Sequence, residues 1–82
     1  EYYIYPIEFS LDKSIFVDEV RKLIDSVYEE VKDYVEELTF LIAGVTRLEI
    51  KYMVNIKVDD AEKILKLRPI ILGEIAERFG GM

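Results

Sequence analysis

Eighty-two residues, 51% of them hydrophobic and carrying a formal net charge of −6, suffice for one domain, residues 1–82, and no more. The chain has no His, Cys, Gln or Trp, and Asn55 is its single asparagine. No imidazole is available as a base near neutral pH, and no thiolate as a nucleophile or soft-metal ligand.

Ile, Leu, Val and Phe make up 31 of the 82 residues, too many for a disordered chain. A chain this short buries only about 60% of its unfolded surface. With no disulfide and no evident metal staple, assembly of copies is the common remaining source of burial. Eleven Glu, 7 Lys and 11 Ile beside the scarcity of Asn, Gln, Cys and Met form a thermophile-like composition. The opening residues lack the basic and long apolar regions of a signal peptide, and charges interrupt every 18-residue window. A soluble, cytoplasmic protein is the expectation.

Residues 1–11 read as a strand. Tyr3, Tyr5, Ile7, Phe9 and Leu11 share one face, with Glu8 and Ser10 on the other. Pro6 has no amide hydrogen to donate, which favours an edge position or a bulge.

Ser14 fits a helix N-cap, followed by Asp18 and Glu19 in the early turns. Val17, Val20, Ile24, Val27, Val31, Tyr34, Leu38 and Leu41 then recur in steps of three and four, the repeat of a coiled-coil seam. The spacing predicts a helix from Ser14 to Ala43, stopped by Gly44 and about 45 Å long. Such a helix outreaches a compact monomer, whose diameter is near 30 Å by its expected radius of gyration. That places Tyr34, Leu38 and Leu41 in a candidate self-association interface. The competing reading ends the helix near Glu37, makes Thr39–Ile42 a short strand and turns the chain at Ala43-Gly44.

From Thr46 to Val58, Leu48, Ile50, Tyr52, Val54, Ile56 and Val58 alternate with Arg47, Glu49, Lys51, Met53, Asn55 and Lys57. This predicts a half-buried antiparallel strand with one face in water. Asp59-Asp60-Ala61-Glu62 opens a second helix in the manner of a capping box. Its stripe is Ala61, Ile64, Leu65, Ile71, Leu72, Ile75, Ala76 and Phe79, broken or kinked at Pro69 and ended by Gly80-Gly81. The expected fold is α+β in the order β-α-β-α, or β-α-β-β-α with the hairpin. A long amphipathic first helix packs on a thin sheet.

The search for chemistry yields little. Glu29, Glu30, Asp33, Glu36 and Glu37 form the densest carboxylate group, and a solvated helix face explains them better than a hard-cation site. No serine, threonine or lysine sits in a recognisable catalytic motif, so no catalytic, cofactor or metal residue is nominated. The N-terminal tyrosines Tyr2, Tyr3 and Tyr5 suit an interface.

Charge is uneven. Residues 1–44 hold 4 basic and 11 acidic side chains, and residues 45–82 hold 7 and 6. Arg47, Lys51 and Lys57 on the polar strand face, with Lys63, Lys66 and Arg68 nearby in sequence, are the candidate nucleic-acid surface, though Glu49, Asp59, Asp60 and Glu62 interrupt it. The leading expectation is a self-associating interaction or structural module, most simply a homodimer, without catalytic activity. It needs no cofactor and does not enter a membrane. The alternative is a nucleic-acid-binding accessory protein using the Arg47/Lys51/Lys57 face.

Overall fold

The longest apolar alternation in the chain becomes the centre of the fold. The computed structural model describes residues 1–80, in the order β1 (Tyr3–Asp12), α1 (Val17–Val31), β2 (Glu37–Val45), β3 (Glu49–Val58) and α2 (Glu62–Phe79). The architecture is α+β. Three strands form one sheet in the order β1-β3-β2, and β3 pairs antiparallel with both neighbours. Tyr52 pairs with Phe9 on one side and Ile42 on the other.

The period-2 pattern sorts the two faces as the sequence requires. Ile7, Phe9 and Leu11 of β1 and Ile50, Tyr52, Val54, Ile56 and Val58 of β3 are buried on one face. Both helices cover that face. α1 contributes Val20, Ile24, Val27 and Val31, and α2 contributes Leu67, Ile71 and Ile75. α1 also meets β2 and α2 meets β1, so each helix leans over one edge of the sheet. Across the middle, the Tyr52 ring stacks on Phe9 (centroids 5.3 Å apart) and on Phe40 (5.4 Å). Among the described residues, no layer covers the opposite face of the sheet.

The first helix is half the length expected, ending at Val31 rather than Ala43. Thr39-Phe40-Leu41-Ile42 favour a strand, and the second edge of β3 offers that strand a ladder of backbone hydrogen bonds. Tertiary pairing therefore outweighs the continuing seam. A 15-residue helix, about 22 Å long, also fits within a molecule measuring 39 × 21 × 19 Å.

The chain reverses later than the hairpin reading expected. Ala43 and Gly44 lie inside β2 at a bulge, where the register shifts between Ile42 and Gly44. The turn is Thr46–Glu49. The Thr46 hydroxyl accepts from Glu49 N (3.1 Å) and its backbone N–H donates to Glu49 O (2.8 Å). Thr46, Arg47 and Leu48 thus belong to a turn and not to β3, and Leu48, expected in the core, is 78% exposed.

The helix starts also differ in detail. Ser14 sits in a turn, where its N–H donates to Asp12 Oδ1 (2.9 Å), and α1 begins after Phe16 without a side-chain cap. At α2, Asp60 Oδ1 accepts from Glu62 N (2.9 Å) and Lys63 Nζ lies 2.7 Å from Asp59 Oδ1. α2 is continuous through Pro69, so of the two outcomes expected there, a break or a kink, the break does not occur. The proline forgoes a single bond, to the Leu65 carbonyl, and Leu65 lies on the solvent side where water can take that place. Gly80 ends α2 at φ 62°, a conformation glycine adopts without strain. The second glycine of the expected stop, Gly81, lies outside the described residues.

Candidate functional site

The residues nominated for self-association do not form one stripe. Tyr34 lies in the α1–β2 loop, where its N–H donates to Val31 O (2.8 Å), and it borders a shallow hollow with Lys63, Lys66, Leu67 and Ile70 of α2. Leu38 is half-buried on the helix-covered side of β2, paired with Ile56. Leu41 pairs with Met53 on the open side. The seam dissolves because alternation in a strand sends Leu38 and Leu41 to opposite faces.

The structure exposes a different apolar surface. β2 has a partner on one side only, so its outer edge carries unpaired backbone N–H and C=O groups. From Leu38 to Val45 this edge has no charge and no proline. Its side chains are incompletely covered on both faces. Leu41 is 39% exposed, Ile42 45% and Val45 59%. Phe40 is half-buried beneath the Arg21 guanidinium, which lies 5.5 Å from the ring centroid. Tyr28, seven residues beyond Arg21, extends the same helix flank and is partly exposed. The other edge strand, β1, contains Pro6, which has no N–H to donate, and carries Glu8, both features that discourage further pairing.

The polar strand face reads differently in three dimensions. Lys51 and Lys57 do share the open face, but Arg47 stands apart in the turn. The alternation also places Glu8, Asp12, Glu37 and Glu49 on that face, through the pairs Glu8–Met53, Asp12–Glu49 and Glu37–Lys57. Carboxylates outnumber the two lysines there. The Lys57 ammonium is in addition engaged over the Tyr2 ring, 4.8 Å from its centroid. The basic residues therefore form no continuous stripe.

The acidic group at the end of α1 is likewise dispersed. Glu29 pairs with Lys32 (3.0 Å), Glu37 enters β2, and no three carboxylates gather as a metal site among the described residues. The Glu29 carboxylate raises the Lys32 pKa by hydrogen bond and charge. At the start of α2, the hydrogen bond from Lys63 lowers the Asp59 pKa, and Asp59 raises that of Lys63. Asp12 is held below the usual carboxylate range by its hydrogen bonds from Ser14. These are exposed local pairs that steady turns and helix ends.

The sequence conceals this edge because its residues also satisfy the spacing of a helix seam. The signal that distinguishes it is the neutral run Leu38–Val45 itself, eight residues between Glu37 and the Thr46 turn. Compared with known proteins, the chain matches no family model, no curated protein and no solved structure. No described helix is long and apolar enough to cross a membrane.

Proposed function

We propose that this chain is a small interaction module that works by self-association as a homodimer, in a cytoplasmic setting, without a reaction of its own. The observation that carries this reading is the incompletely covered apolar surface of Leu41, Ile42 and Val45 on a strand edge free of charge and proline. A monomer that leaves such an edge bare is open to edge-to-edge pairing. A second subunit also supplies the burial that a chain of this size lacks alone. The acid-rich open face favours a protein partner over nucleic acid, because phosphate binding calls for an uninterrupted basic stripe.

Sedimentation equilibrium over a hundredfold range of protein concentration tests the reading. Twice the 9.6 kDa chain mass is expected at the upper end, falling toward the monomer on dilution. A constant 9.6 kDa throughout rejects it. Titration with labelled single- and double-stranded oligonucleotides at low salt is expected to give no complex. A complex that dissociates steeply as salt rises would instead favour the nucleic-acid alternative.

A further inference from the structure

We infer that two copies of this chain join β2 to β2 in antiparallel fashion about a two-fold axis close to Leu41, making one continuous six-stranded sheet. The inference rests on the self-association reading and specifies its geometry.

Three features of β2 single out a second copy as the occupant. First, the edge is neutral in its middle and oppositely charged at its ends. Glu36 and Glu37 stand at the start, and Arg47 follows the end, with no charged residue between Glu37 and Arg47. Antiparallel self-pairing is the arrangement that sets the acidic start of one strand beside the Arg47 of the other, twice per dimer. A parallel arrangement would set like charge on like. The molecule is otherwise acidic, with net charge −6, so two copies meet least repulsion through a surface that carries little negative charge.

Second, the side chains match themselves across the axis. With Leu41 opposite its symmetry mate on the open face, Phe40 falls beside the second copy's Ile42 on the helix-covered face. Leu38 then lies toward the second copy's Val45 beyond the bulge at Ala43. Each of the exposed apolar groups of this edge thereby gains an apolar neighbour. Third, the competing edge is closed to such pairing, since Pro6 lacks a donor and Glu8 adds charge.

The chain contains no cysteine, so a single introduced thiol reports directly on the axis. Opposed Cα atoms in an antiparallel pair are about 4.5–5.5 Å apart, within disulfide reach. Leu41→Cys is expected to form a disulfide-linked dimer under mild oxidation. Leu65→Cys, at an exposed position on α2 away from β2, is expected to stay monomeric on a denaturing gel. Leu41→Lys, at a partly exposed position, would set two ammonium groups against each other, and is expected to weaken the dimer by roughly a hundredfold while keeping the native circular dichroism spectrum. If wild type is a dimer but Leu41→Lys dimerises equally well, the β2 pairing is wrong and self-association stands. If wild type is a monomer at every concentration, both fall. Should Leu41→Lys fail to fold, the cysteine pair decides. A wild-type dimer in which Leu41→Cys links no better than Leu65→Cys overturns the inference.

Discussion

Tyr52 is enclosed on both sides by other rings, and its hydroxyl is buried with no hydrogen-bond partner among the described residues. A buried hydroxyl left unpaired costs about 1–3 kcal/mol in lost hydration. The stacking on Phe9 and Phe40 does not depend on it. Tyr52→Phe is therefore expected to keep the fold and to gain about 1 kcal/mol in urea unfolding, and a loss of that size would show that the oxygen has a role. Burial also raises the Tyr52 pKa above its ordinary value, because the phenolate is poorly solvated there. An acid whose pKa is higher folded than unfolded lends stability that is complete below the unfolded value and is lost as pH rises through the folded one. Wild-type stability should thus fall above about pH 10, and Tyr52→Phe should lack that part of the fall. The strand register gives a second contrast at this scale. Ile56 is fully buried and Lys51 is exposed on the other face. Ile56→Ala is expected to cost about 2–5 kcal/mol in the same assay, and Lys51→Ala under about 0.5 kcal/mol.

At the scale of single elements, legibility followed the strength of the local period. The alternation from Ile50 to Val58 appeared in the sequence with the correct face inward, and so did Pro6 on an edge strand. Both are local consequences of backbone geometry. The boundary at Val31 was not legible, because residues 34–41 satisfy a helical spacing and a strand preference at once. The choice between them is made by β3, at least eight residues further along. The candidate site moved with that boundary. α2 shows the opposite case, a local signal overridden. Pro69 and Gly73 are both weak helix residues, yet Leu67, Ile71 and Ile75 bury the same helix face on either side of them and hold it in one piece. A Cβ added at Gly73 meets nothing within 4 Å. Gly73→Ala should accordingly stabilise by about 1 kcal/mol and Pro69→Ala by up to about 3 kcal/mol, read as shifts in the urea midpoint. A loss at either position would mean that the helix needs its local weakness.

For the whole molecule, the charge of −6 and the proposed dimer oppose each other, and their balance makes a prediction about salt. Two such bodies side by side, each about 20 Å across, have centres roughly 20 Å apart. Treated as points in water, they repel by about 7.5 kcal/mol without salt, which screening reduces to about 3.8 kcal/mol at 10 mM and about 0.6 kcal/mol at 150 mM. Against this stand the ends of β2, where an exposed Glu37–Arg47 contact contributes about 0.2–1 kcal/mol and is itself weakened by salt. At low salt the long-range repulsion outweighs these contacts. Raising salt from 10 to 150 mM should therefore tighten the dimer, by roughly tenfold or more, as measured by the sedimentation dissociation constant. A phosphate-binding surface would respond with the opposite sign, losing affinity as counterions compete. A dimer that weakens over that salt range would mean that local charge pairs, and not the neutral apolar edge of β2, hold the copies together.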